Sequence, residues 1–473
     1  MSKIDVVLPE SLAADSRAPE QSRHRSGLFL ALAIMQATLI FTIVMVGVPL
    51  PAIAQEFSLA QPELLLISAG YGLPFSGLLL FGGRLSDRLG GKSLLRAGAL
   101  LFGGASLVGL FAPSYAILVA VRLLQGVGAA LIAPALMAIL RQLYPDPAAF
   151  GRAMATWGGV SVLGGAVGFL SSGMLTTWVS WRWMFIVPVA VALLGLWMVH
   201  KPLRDLKTSP APAPLDIPGA LLATLGIMLL SFGLIASGEA AWSAPVVYAP
   251  VLAGTLCLML FFVYECRVAH PLLPVDFLFD LTRGAGLVGI LLAAAGMGLI
   301  TFLLSLYLQQ IRGWSPLATS LAFIPYTVAL LVVNRAAHWL IGRFHALTLT
   351  LSGLVIGAVG LFLLGHLTPH SHYGWDLLPG LFILPAGASL VFSGSAVLAT
   401  AHVPLHRGGL AGGVMNTAME LGPTMGLAAL MALAATQTES LAGFTLAFNA
   451  AGVVYLLAAA AAALVAKRIY RRQ

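Results

Sequence analysis

Charge is what this sequence has least of: only 9% of its 473 residues are Asp, Glu, Lys or Arg. A water-soluble domain carries about 25%, so the chain cannot clothe a solvent-facing surface. Disordered chains are rich in charge and poor in apolar residues, whereas 59% of this one is hydrophobic. An unfolded chain is therefore excluded too. Cysteine is nearly absent. Cys257 and Cys266 lack metal-ligand spacing and have no cluster of histidines nearby, so neither a zinc site nor a disulfide framework is supported. There is no Gly-rich phosphate loop ending in Lys-Ser/Thr, which leaves ATP-driven pumping without support. Residues 1–26 are polar and mixed in charge, with no short apolar core and cleavage site. They read as a tail rather than a signal peptide.

What the sequence has is apolar length. A bilayer-spanning helix needs about 20 mostly apolar residues. Fourteen stretches qualify: 27–52, 62–83, 94–112, 114–141, 151–178, 181–200, 216–237, 246–266, 282–310, 316–341, 347–367, 375–401, 408–436 and 443–466. Lys and Arg favour the cytoplasmic side of short loops. An even number of spans places both termini on one side, and all of the 25 Lys and Arg fall on that side except four. Arg182 and Arg312 lie in opposite loops; Arg122 and Arg335 lie inside spans. The expected chain is thus an all-α polytopic protein of the bacterial plasma membrane, with cytoplasmic termini. Its net charge of +8 marks topology, not a nucleic-acid partner. The Pro-rich basic segment at 201–215 is a linker. The expected order is a tail over 1–26, a six-helix bundle over 27–200, a linker and two-helix insert over 201–281, a second six-helix bundle over 282–467, and a basic tail over 468–473. Two such bundles are the layout of transporters with a solute site between repeated halves.

Four motifs sharpen this. Gly83-Arg84-Leu85-Ser86-Asp87-Arg88-Leu89-Gly90-Gly91-Lys92 joins spans two and three. Gly83 would allow close helix approach, Gly90-Gly91 a tight turn, and Asp87 a latch at the positive end of a helix in the other half. The stretch resembles the signature loop of the major facilitator superfamily. It implies that fold, and gating roles for Gly83, Asp87, Arg88, Gly91 and Lys92. In span four, Arg122-Leu123-Leu124-Gln125-Gly126-Val127-Gly128 resembles the superfamily's R-x-x-Q-G-x-G motif. The family reading gives Arg122 a part in proton coupling; the bland reading is a structural arginine satisfied by carbonyls and Gln125. In span five, Gly164, Gly168 and Ser172 put small residues on one face for helix packing. That run resembles the exporter-associated motif, but has Gly165 and Phe169 where the pattern has prolines. Milder matches at Trp181–Phe185, Glu265–Leu273 and Tyr307–Pro316 resemble the 14-helix drug:proton antiporter branch.

One departure stands out. The branch usually has an acid in span one, and this chain has Thr42 there. Glu420, where Arg-Gln is usual in span thirteen, is the only acid well inside a span. It is expected to replace the missing carboxylate, as proton carrier or as counter-charge to a cationic solute. The alternative is a structural Glu paired with Arg335 or with hydroxyls. Gln36, Thr42, Tyr71, Gln125, Gln309, Tyr326, Asn334, Arg335 and Asn416 are the candidate solute-binding residues, as polar or aromatic groups in central spans. His366, His370 and His372 read as solvated loop residues rather than a metal site. His372 and Asp376 miss the H-x4-D spacing of membrane acyltransferases by one residue, which weakens an enzyme reading. The expected function is proton-coupled export of amphipathic small molecules by a monomer in the bilayer, with no cofactor beyond the proton gradient. The alternative is a dedicated metabolite carrier.

Overall fold

In the computed structural model, residues 10–470 are described except 60, 204–215, 238–239, 270, 272, 274–279, 342, 402 and 404–407. Every regular element among them is helical. The first half contains α1 (Glu10–Val44), α2 (Leu50–Phe57), α3 (Gln61–Leu89), α4 (Gly91–Gly109), α5 (Tyr115–Leu143), α6 (Pro147–Trp178) and α7 (Ile186–His200). Then come α8 (Ile217–Ala236) and α9 (Pro245–Glu265). The second half contains α10 (Leu281–Leu306), α11 (Pro316–Ala322), α12 (Ile324–Ile341), α13 (Ala346–Leu364), α14 (Leu378–Ala399), α15 (Gly408–Leu421), α16 (Leu427–Ala434) and α17 (Ser440–Tyr470). Three π-helical turns, Tyr307–Ile311, Tyr373–Leu377 and Gly422–Gly426, adjoin second-half helices.

Helix starts follow from their caps. The side chains of Ser114, Asp146, Asp216, Asp280 and Ser315 each accept a hydrogen bond from a backbone N–H three residues on. Such caps satisfy donors that a helix N-terminus leaves unpaired. At Gly90 the chain turns with φ 80°, a conformation that favours glycine, and α4 starts at once.

The stretch 27–52 does not form one straight span. Helix α1 stops at Val44, and Pro49 and Pro51 flank a new start at Leu50. Proline cannot donate to a preceding turn and clashes with it, so the chain breaks there. By length and hydropathy, twelve stretches among the described residues are candidate membrane spans. The expected spans 94–112 and 151–178 are not among them. They fold as α4 and α6, of 19 and 32 residues, and Lys92 and Arg96 lower the mean hydropathy of α4. The Pro-rich part of the linker, 204–215, lies outside the described residues.

In the first half, α4 packs on α5 and α7, α3 on α5, and α1 on α6. In the second, α13 lies against α14 and α17, and α10 against α14 and α15. Helices α8 and α9 form a hairpin, with α8 against α3 and α16. The halves meet where α3 touches α15, and α6 touches α11 and α12. Alternating helices gather Arg84, Arg88, Lys92, Arg141, Arg283 and Arg343 at one end, hereafter the basic rim. Arg182 and Arg312 lie at the far end.

Candidate functional site

The site grows from Arg122, two turns into α5 and completely buried. A guanidinium in a bilayer-depth interior needs partners. Its Nη1 donates to the Thr42 carbonyl at 2.9 Å and to Gln125 Oε1 at 3.2 Å, and its Nε donates to the Ile67 carbonyl at 3.3 Å. The early end of α1 explains the first bond. Thr42 is in the helix's last turn, whose carbonyls have no partner further along the helix, and a helix C-terminus attracts a cation. The missing span-one carboxylate is thus replaced, for Arg122, by a carbonyl and a helix end. The Thr42 hydroxyl takes no part, donating instead to the Thr38 carbonyl at 2.7 Å.

Gln125 is fixed in turn, its Nε2 donating to Ser106 Oγ at 2.8 Å. Ser106 was not among the expected site residues; its only sequence signal is a hydroxyl within an apolar helix. The two glycines of the motif dock α5 on its neighbours. A Cβ on Gly126 would run into the Tyr71 carbonyl of α3, and one on Gly128 would come 2.8 Å from the backbone of Phe102 on α4. These contacts press Tyr71 beneath the guanidinium, whose carbon stands 4.9 Å from the ring centroid. The Tyr71 hydroxyl donates to the Leu39 carbonyl at 3.1 Å.

Glu420 enters from the second half. It is 5% exposed, in the last turn of α15. Its helix packs against α3, which carries the fully buried Tyr71. Among the described residues no Lys, Arg or His lies within ion-pair distance of it. The α3–α15 contact continues one turn on, where a Cβ on Gly72 would meet the Thr424 methyl at 3.2 Å. The π-turn Gly422–Gly426 follows Glu420 directly, and such turns often mark functional places in helices. Arg122 keeps one buried donor, Nη2, with no protein acceptor among the described residues. Arg122, Tyr71 and Glu420 therefore lay a cation, an aromatic ring and a carboxyl group across the meeting line of the halves.

The other expected residues divide. Gln36 is buried on α1 and Asn416 is half-buried one turn before Glu420. Gln309 belongs to the π-turn near the far end, where its Nε2 donates to Ser305 Oγ at 3.0 Å. Tyr326 is buried against Phe323, their ring centroids 6.0 Å apart. Asn334 is half-buried on α12. Arg335 is exposed on the stripe that includes Val328, Val332 and Trp339. It is placed for its long stem to reach the basic rim through the bilayer interface, rather than to pair with Glu420.

At the basic rim, Asp87 and Arg88 are exposed and Lys92 is half-buried. Gly91 packs on the α5 backbone, its Cβ position 3.0 Å from the Ala135 carbonyl. The glycine at the close approach of α3 to α5 is Gly82, against the Ala130 carbonyl; Gly83 faces open space. The expected Asp87 latch is not engaged by any described residue, while Arg84 donates to the Pro271 carbonyl after α9. Gly164 and Gly168 abut Ala37 and Phe41 of α1, and Ser172 Oγ donates to the Met45 carbonyl at 2.9 Å.

The two far-end arginines clamp loops. Arg182 pairs with Glu56 at 2.7 Å, donates to the Ala112 carbonyl at 2.9 Å and lies over the Trp181 ring at 4.4 Å. Arg182 holds the Glu56 carboxyl below its ordinary range, mainly through their hydrogen bond and against the opposing pull of burial. Arg312 donates to the Ser371 carbonyl and to the Tyr307 hydroxyl.

Residues 30–427 match the family described as Major Facilitator Superfamily. The chain belongs to the Major Facilitator Superfamily. As a superfamily member it is a multi-pass membrane transporter, not an enzyme. It is 34% identical over 430 residues to the puromycin resistance protein pur8 of Streptomyces alboniger, covering 90% of this chain and 84% of that one. It is 34% identical to the cephamycin export protein CmcT of Amycolatopsis lactamdurans, covering 85% of this chain and 83% of that one. The lincomycin resistance protein of Streptomyces lincolnensis is 31% identical, with 94% and 92% covered. Among solved structures, tetrameric PepTSo2 superposes with a TM-score of 0.65 at 16% identity, covering 95% of this chain and 100% of that one. That last likeness concerns the fold alone.

Proposed function

We propose that this superfamily member exports amphipathic, drug-like small molecules in exchange for protons, by alternating access between its two halves. The observation that carries the reading is Glu420: a buried acid where α15 of one half packs on α3 of the other, with no cationic partner among the described residues. A carboxyl group so placed has two uses. It can carry a proton in one state and attract a cationic solute in the other. The free Nη2 of Arg122 offers a polar contact to a solute or to water. The relatives named for resistance and export supply the direction and solute class.

Several features belong to the same proposal. The chain crosses the bacterial plasma membrane fourteen times, α4 and α6 included, with both termini in the cytoplasm. Two six-helix bundles over 27–200 and 282–467 flank the insert, and the working unit is a monomer without a cofactor. A second reading, a dedicated metabolite carrier without proton coupling, is favoured by Thr42 in place of the usual acid.

Everted vesicles with a preset proton gradient test the choice, using puromycin and lincomycin as first probes. Export by exchange predicts that adding a transported probe dissipates the gradient. Glu420→Gln should abolish that dissipation while the protein still inserts and melts as the parent does. Probe transport by Glu420→Gln that remains driven by the gradient would refute the role of Glu420. Transport indifferent to the gradient in the parent would favour the carrier.

A further inference from the structure

One motif position is not absorbed by the proton site. Phe169 stands where the exporter-associated pattern has a proline, and the structure gives it a partner in the other half. Its ring and that of Phe323 have centroids 4.8 Å apart, and Phe323 lies 6.0 Å from Tyr326. Ser320 Oγ, completely buried, donates to the Phe169 carbonyl at 3.1 Å. One turn on, Gly173 abuts Ser320, a Cβ there being 3.1 Å from Ser320 Cβ and 3.1 Å from the Pro316 carbonyl. These contacts lie toward the far end: Phe169 is nine residues before the end of α6, about 14 Å at the helical rise.

The two sides of α6 differ. Gly164, Gly168 and Ser172 seat it on α1 of its own half by backbone contact, the kind of approach that small residues permit. Phe169 and Gly173 face α11, with a side-chain ring and one hydroxyl bond as the joint. The partner helix is interrupted at that spot, since α11 ends at Ala322 and α12 begins at Ile324. Pro325 contributes to the break because it has no N–H to offer the preceding turn. The Ala322 carbonyl, at the end of α11, receives the Tyr373 hydroxyl at 2.8 Å. A ring held at a helix break can swing without disturbing a continuous helix.

We infer that Phe169 and Phe323, sealed over Ser320 and Gly173, form the gate that shuts the far end of the transport path, with the helix break at Phe323 as its hinge. The inference rests on the alternating-access reading, but not on proton coupling or on any particular solute. The gate opens by parting α6 from α11, which exposes the Ser320 position to the far side.

The test uses the full chain in membrane vesicles of both orientations, with Cys257→Ser and Cys266→Ser as background. Ser320→Cys is expected to react slowly with a membrane-impermeant maleimide added from the far side. Phe169→Ala should speed that labelling about two- to tenfold, the population shift from losing one aromatic pair. Adding Gly173→Cys and oxidising the pair should abolish labelling, and a reductant should restore it. The 3.1 Å Cβ–Cβ approach is a few tenths of an ångström short of the roughly 3.5–4.5 Å that a disulfide spans, so a slight parting of α6 and α11 brings the pair into range. If Ser320→Cys is never labelled, the contact is permanent packing and the inference falls. Labelling at one rate with and without the Phe169 ring overturns it too. Should Phe169→Ala fail to fold, Phe323→Ala removes the same ring pair and is read in the same way. None of these readouts needs a solute or a proton gradient, so failure of proton exchange is told apart from failure of the gate.

Discussion

Gly126→Ala isolates the contact that builds the site. The added methyl would overlap the Tyr71 carbonyl oxygen, stand 2.5 Å from Pro74 Cγ and 3.1 Å from the Tyr71 carbonyl carbon. Two of these atoms are backbone, so relief requires α3 and α5 to separate. The same shift carries Tyr71 and the Ile67 carbonyl away from Arg122. Forcing a methyl into a packed interior costs about 1–3 kcal/mol. Replacing glycine by alanine inside a helix gains about 1 kcal/mol in the opposite sense. Gly104→Ala supplies the control, because its added methyl on exposed α4 surface meets nothing within 4 Å. It keeps the helical gain without the clash, so the two variants should differ by about 1–3 kcal/mol, Gly126→Ala being the weaker. Melting of detergent-purified protein, or unfolding in mixed micelles, measures the difference. If Gly126→Ala is as stable as Gly104→Ala, the close α3–α5 approach is not what holds the site.

Three further expectations follow from side chains. Arg122→Lys keeps the charge but loses the planar fork that reaches Thr42, Ile67 and Gln125 together; transport should fail and stability fall by about 1.5–3 kcal/mol, as transport assays and melting would show. Arg335→Gln should leave probe transport unchanged, and a loss of probe affinity would return that residue to the site. The Glu56–Arg182 pair is half-exposed and contributes about 0–1 kcal/mol. Because the folded-state carboxyl is held low, its contribution is full above the ordinary carboxylate range and fades as pH falls through the lowered value. The melting difference between parent and Glu56→Gln should therefore be present at neutral pH and vanish in strong acid; a difference that grows with acidity would contradict the sign.

How much was legible in the sequence varied with the kind of residue. Arg122 and Glu420 stood out because ionisable groups are rare at membrane depth, and both are buried at the site. Arg335 had the same sequence signal but lies on an exposed stripe. Gly83 was the expected close-approach glycine, whereas Gly82 next to it makes the contact. One residue along a helix turns the side chain by about 100°, enough to exchange an interior face for an exterior one. Phe169 was marked only as a departure from the exporter-associated pattern, and Ser106 and Ser320 had no distinguishing signal, being two hydroxyls among many.

The sequence by itself determined that this chain enters a membrane, where its helices run and which superfamily it joins. The first two reside in local length, apolar content and the placement of Lys and Arg, which a bilayer reads segment by segment; the superfamily was legible in the motif residues Gly83–Lys92 and Arg122–Gly128. Only the tertiary structure decided which side of each helix faces its neighbours. A helix that is apolar all round carries little periodic signal, and α9, α13 and α14 are of that kind. Their rotation is set instead by close backbone contacts and by the buried donors that must find carbonyls. The break after Val44 became the partner of Arg122, and the place of a missing proline became a ring against the other half, because packing required an acceptor in one place and a seal in the other.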